Sequence, residues 1–200
     1  MKKTLVISLL LTACGNNDLP DFDCVQSFDA GGMTFCLESE VDNINTDIVE
    51  DLVSLIEQEV QKRYPEISGI RNMLQATNTL VVVSNAMFVT DCQEVRSTGT
   101  YVCDTRHKAF ITTENGVDFV FVMMPSPKNG NCFADRFLMH EILHSVIWHF
   151  IDGSDKDHGR PYFFLAKYGG TVDKESIEDK MIEAIENELK PLYPKQCGNK

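Results

Sequence analysis

The chain has 200 residues, 43% hydrophobic and 24% charged, which is ordinary globular composition for about one domain and excludes both a disordered chain and a polytopic membrane protein. Thirty acidic against 18 basic residues leave a net charge of −12. Such a surface repels phosphate backbones, so no nucleic-acid partner is expected.

Met1-Lys2-Lys3 is a short basic start, followed by a brief apolar run from Leu5 to Leu11. That run is far below the ~20 apolar residues needed to span a bilayer, so residues 1–13 read as an export signal. A plain secretory cleavage site takes small residues at both −3 and −1, and Leu11 is wrong for it. Leu11-Thr12-Ala13-Cys14 instead resembles the bacterial lipobox, in which Cys14 carries the lipid and begins the mature chain. The expected location is the bacterial cell envelope, with the membrane as partner through that lipid and residues 14–23 as a short acidic tether.

Export also accounts for the cysteines. Without Cys14 there remain six, Cys24, Cys36, Cys92, Cys103, Cys132 and Cys197, an even number that reads as disulfides. No Cys-x-x-Cys occurs, which speaks against a cysteine zinc ribbon or a thioredoxin-type site. Spacing favours Cys24 with Cys36 and Cys92 with Cys103, each pair flanking a turn signal, and leaves Cys132 to tie Cys197 to the body. Other pairings, or free thiols, remain open.

Residues 24–200 show no repeat and no linker and read as one domain. Ile48, Leu52, Leu55, Ile56 and Val60 form the stripe of an amphipathic helix from Thr46 to Tyr64, stopped by Pro65. Leu80 to Val83 and Met87 to Val89 are strand-like. Phe110 to Thr112 and Val117 to Met124 flank Glu114-Asn115-Gly116, a strong hairpin signal because Asn-Gly tolerates positive φ. From about Phe133 to Ile151 the sequence is apolar almost all round, which marks a buried helix ended by Asp152-Gly153. Asp173 to Lys190 is a second amphipathic helix with an acidic outer face, broken by Pro191. The fold class is α+β.

Inside the buried helix stands His140-Glu141-Ile142-Leu143-His144. Residues four apart lie about 40° from each other around a helix and one turn up, so the two imidazoles can bind one Zn²⁺ without strain. Glu141 falls on the flank of that face, where it can reach a water polarised by the metal and act as general base. A third ligand has to come from elsewhere. His149 is about 180° round the helix from His140 and points away, packed or facing solvent. The metzincin extension requires Gly and His where the chain has Ile147 and Phe150, so that family is excluded. Glu175 or Glu178 could serve, although an acidic solvated face explains them as well. His158 follows the Gly153 stop by a loop long enough to return to the pair.

The run from His140 through His158-Gly159 to Phe163 resembles the SprT-like (Spartan-type) zinc metallopeptidase core, over about thirty of the 200 residues. The resemblance implies His140, His144 and His158 as zinc ligands and Glu141 as the base. It also implies a zincin-like fold, with a small, mostly antiparallel sheet packed on the motif helix and an amphipathic helix at the C-terminus. The DNA-binding segments common in that family have no counterpart here. A calcium loop in Asp152 to Asp157 fails, because Lys156 and Asp157 fall where a calcium ligand and a glycine are required. Asp157 is instead a candidate acceptor for a ligand imidazole, and Tyr162, Tyr168 and Arg160 are candidate donors to a developing oxyanion.

The expected function is therefore zinc-dependent hydrolysis of peptide bonds in a peptide or protein substrate at the envelope. The rival is a lipoprotein that keeps the metal as a binding or assembly module without turnover. A structural zinc is normally closed by four protein ligands, and no fourth is evident.

Overall fold

Alternation along two strands sets the architecture. In Leu80–Ser84, Val81 and Val83 face one side and Val82 the other; in Val117–Met123, Val120 and Val122 face the first side and Phe119 and Phe121 the second. Both sides are buried, so the sheet they centre is covered on each face. The computed structural model describes residues 19–20, 22–90, 93–95, 100–102, 105–124, 132–151, 177–195 and 197.

Within these lie β1 (Gln26–Ala30), β2 (Met33–Leu37), α1 (Asp47–Gln61), α2 (Ile70–Ala76), β3 (Leu80–Ser84), β4 (Phe88–Thr90), β5 (Gln93–Val95), β6 (Thr100–Val102), β7 (Thr105–His107), β8 (Ala109–Glu114), β9 (Val117–Met123), α3 (Arg136–Val146) with a π-helical turn at Ile147–Ile151, and α4 (Ile177–Leu192). The main sheet runs β1-β2-β3-β9-β8, while β4 pairs with β7 and β5 with β6. The fold is α+β, as expected, but the main sheet is mixed rather than mostly antiparallel. Its outer pairs, β1 with β2 and β8 with β9, are antiparallel hairpins, and its central pairs are parallel. The reason is the crossover from β2 through α1 and α2, which brings the chain back to β3 in the same direction.

The helices cover one face. Ile48, Leu52, Leu55, Ile56 and Val60 of α1 are all buried, as their spacing requires, together with Phe35 and Leu37 of β2. On the other face Phe110 stacks on Phe121, with centroids 4.7 Å apart, and Phe88 meets the same ring edge-on at 5.1 Å. Among the described residues no helix is long and apolar enough to cross a membrane.

Helix α2 has no sequence signal of its own. It is seven residues long and begins at Gly69 rather than at a side-chain cap. A carboxylate from the neighbouring helix does the capping instead: Glu57 accepts from the amides of Gly69 and Ile70, both at 2.9 Å. Pro191 also departs from expectation, since α4 continues to Leu192. As the penultimate residue it disturbs only the last turn.

Two disulfides are present among the described residues, Cys24–Cys36 and Cys132–Cys197, both as spacing proposed. They close loops of 12 and 65 residues, worth about 3 and about 4 kcal/mol in the chain-entropy account. Cys92 and Cys103 lie outside the described residues, although the short strands between them, β5 and β6, do pair in antiparallel register.

The β1–β2 turn is the tightest joint in this framework. Gly31 and Gly32 have φ of +63° and +83°, and a Cβ on Gly32 would lie 2.4 Å from the carbonyl oxygen of Arg71 in α2. Gly32→Ala thus combines a disfavoured backbone conformation with a backbone overlap, and urea denaturation should show a loss of about 2–4 kcal/mol. Gly116→Ala, whose Cβ would meet nothing within 4 Å, should cost clearly less.

Candidate metal centre

The motif helix is shorter than its apolar run. α3 starts at Arg136, because the Asp135 side chain caps it by accepting from the Phe137 amide at 2.7 Å. Leu138, Met139, Ile142, Leu143 and Val146 are buried on one side and Glu141, His144 and Ser145 on the other, so the helix is packed nearly all round. Beyond Val146 the chain takes the π-helical turn in place of the α-helix expected to continue to Ile151.

His140 and His144 stand one turn apart and turn their Nε2 atoms toward each other, 3.0 Å apart, with rings almost perpendicular at 85°. Two imidazoles on a tetrahedral ion with Zn–N bonds of ~2.0–2.1 Å have their nitrogens about 3.3 Å apart, so the pair sits close to ligating geometry. Glu141 is 4% exposed, and its Oε1 is 4.0 Å from His140 Nε2. Ligating atoms of His140, Glu141 and His144 all fall within 4.8 Å of one another, a cluster that could hold a metal ion. Two convergent imidazole nitrogens with a carboxylate beside them suit a divalent transition metal and a water bound to it.

The surroundings act on these groups through desolvation. Burial, helped by the nearby charge of Glu178 and against the pull of His140, pushes the Glu141 carboxyl up to about 7. Burial alone would lower His140. Its hydrogen bond to Glu178, helped by the charges of Glu141, Glu178 and Asp179, outweighs that and leaves it above its ordinary value.

Glu178 comes from α4 and is buried, with its Oε1 on His140 Nδ1. The solvated-face reading of this residue is therefore wrong. It also does not join the cluster around Nε2, since it contacts the other ring nitrogen. His149 sits in the π-helical turn, outside the cluster of the pair, and its Nε2 donates to Asp118 Oδ2 at 2.9 Å.

Asp118 and its partners are the polar residues that sequence reading missed. The carboxylate is 2% exposed and accepts from Thr113 Oγ1 at 2.7 Å, from Ser145 Oγ at 3.2 Å and from His149. The alternation of β9 held the signal, because residue 118 shares the helix-facing side with Val120 and Val122. A small pocket beside His144 is lined by Asp118 and Ser145 with Ile111, Thr112, Thr113 and Trp148.

His158, Asp157, Arg160, Tyr162, Tyr168 and Glu175 lie outside the described residues, as does Cys14. No family model matches the chain, and no curated protein or solved structure is found to be similar to it.

Glu141 gives the metal-free protein a pH-dependent penalty. An acid held near pH 7 in the folded chain and near 4.5 when unfolded binds its proton more tightly when folded, so stability falls as pH rises between those values. Metal-free Glu141→Gln, which cannot ionise, should match wild type near pH 4.5 and exceed it at pH 8 by about 3 kcal/mol, since each pKa unit is worth ~1.4 kcal/mol. Parallel urea titrations at the two pH values measure the difference.

Proposed function

We propose that the chain is a zinc-dependent peptidase of the zincin type, anchored at the bacterial envelope through a lipid on Cys14. The observation that carries the reading is the buried cluster in which two histidine Nε2 atoms converge beside the Glu141 carboxylate. His140 and His144 are two of the ligands, and His158, by the SprT-like resemblance, is the third. Bound zinc would supply a Lewis acid that polarises a water and the scissile carbonyl.

Glu141 supplies the proton chemistry. A base with a pKa near the working pH accepts a proton and releases it again with little driving force lost in either direction. The carboxylate that takes the proton from the attacking water is then the acid that delivers it to the leaving amine. The low exposure of Glu141 keeps bulk water from competing for that proton. A peptide or protein is the substrate, and Tyr162 and Tyr168 are the candidate donors to the oxyanion, with Asp157 as candidate acceptor for a ligand imidazole.

The test is Glu141→Gln in the full chain, assayed on casein-like and cell-wall peptides with zinc measured in parallel. The variant should keep one zinc per chain and lose hydrolysis by ~10²–10⁴-fold, the usual cost of a missing general base. His140→Ala and His144→Ala should lose the metal itself. A wild-type chain that holds zinc but cleaves nothing in the panel favours the binding-module alternative.

Anchoring has its own test. Cys14→Ser should move the protein from the membrane to the soluble fraction with an unchanged thermal midpoint, because the substituted position lies ahead of Leu19 and Phe22, where the tether packs on the core. A variant that still sediments with membranes contradicts the lipobox reading.

A further inference from the structure

We propose that Glu178 is a positioning residue that fixes the tautomer and aim of His140 for the metal, an inference that rests on the zinc-site reading. The two nitrogens of the His140 ring face different partners. Nε2 faces His144 Nε2 at 3.0 Å, inside the cluster, and Nδ1 faces Glu178 Oε1. A neutral imidazole carries one N–H and one lone pair, and an ionised carboxylate can only accept. Glu178 therefore selects the form with the proton on Nδ1, which leaves the lone pair on Nε2, the atom that would bind the ion.

The placement of Glu178 is built rather than incidental. Met181, Ile182, Ile185 and Leu189 bury one face of α4, and Glu178 begins that face, whereas Glu183 and Glu188 are exposed. Arg136, at the start of α3, pairs with Asp179, the next residue along. At the far end of α4, Tyr193 Oη donates to Asp51 Oδ2 of α1 at 2.6 Å, and Cys197 is bonded to Cys132 just before α3. Asp179, Tyr193 and Cys197 thus fasten α4 to α3, to α1 and to the segment before α3, all of them C-terminal to Glu178. A carboxylate brought into that seam needs a partner, and His140 is the one it meets.

Glu178 is not itself a ligand in this assignment. It touches the ring on the side away from Nε2 and lies outside the cluster formed by His140, Glu141 and His144.

Two measurements on the full chain test the proposal. Long-range proton–nitrogen NMR spectra of the metal-free protein report the tautomer of His140, and competition against a chromophoric chelator gives the zinc dissociation constant. At a pH high enough to leave His140 neutral, wild type should show the Nδ1–H tautomer. Glu178→Ala should shift His140 toward a mixture and weaken zinc ~10–100-fold, the usual cost of losing the partner behind a ligand. Glu178→Gln, which still offers an oxygen acceptor in the same shape, should fall between the two. An Nε2–H tautomer in wild type, or equal zinc affinity in wild type and Glu178→Ala, overturns the inference while leaving the zinc site intact. A loss beyond ~1000-fold with an altered visible spectrum of the cobalt-substituted protein would make Glu178 a direct ligand and also overturn it. A wild-type chain that binds no zinc overturns the zinc reading and this inference together.

Discussion

Everything at the candidate site depends on the burial of α3. The helix lies between the sheet and α4, and its apolar residues bring Glu141 and His144 out of bulk water with them and leave His140 half-buried. In that environment each polar group must find a partner within the protein, and electrostatic interactions are several times stronger than at a surface. The raised pKa of Glu141 and the pairing of His140 with Glu178 are both consequences of the same desolvation.

Apolar burial alone fixes the rotation of α3 only loosely. Leu138, Met139, Ile142, Leu143 and Val146 lie within about 140° of its circumference, and a modest roll would still bury most of them. The polar ties remove that freedom. On one face His140 is bonded to Glu178 of α4; on another, Ser145 and His149 meet the buried carboxylate of Asp118 on β9. A roll would strand Asp118 and Glu178 in the interior, each at a cost of about 1–3 kcal/mol or more. The orientation of the histidine pair is thus specified by residues on two other elements.

How much of this was legible in the sequence follows from the range of the forces involved. Periodicity located α1, β3, the β8–β9 hairpin and the amphipathic core of α4, because burial of one face writes itself directly into spacing. The histidine pair was legible for the same reason: two residues four apart on a helix must share a face. Helix α2 was not, since its cap is Glu57, twelve residues upstream of Gly69. The parallel centre of the sheet was also hidden, being a property of the crossover and not of any strand. Glu178 looked like one acid among many on α4, and its contact with His140 spans 38 residues. Asp118 could be placed inside by the alternation of β9, but its partners Thr113, Ser145 and His149 come from other elements and leave no mark on that strand.

The Cys132–Cys197 bond joins the residue just before α3 to the tail just after α4, with 65 positions between them. Both elements of the His140–Glu178 contact, and the stretch that carries His158, lie inside this covalent ring. A single backbone cut anywhere within the ring opens it without separating the two helices, because the bridge still holds the fragments as one molecule. Their mutual concentration stays that of an intramolecular pair. A proteolytic environment can therefore nick this third of the protein without dispersing the groups that converge on His140, so long as the bridge remains oxidised.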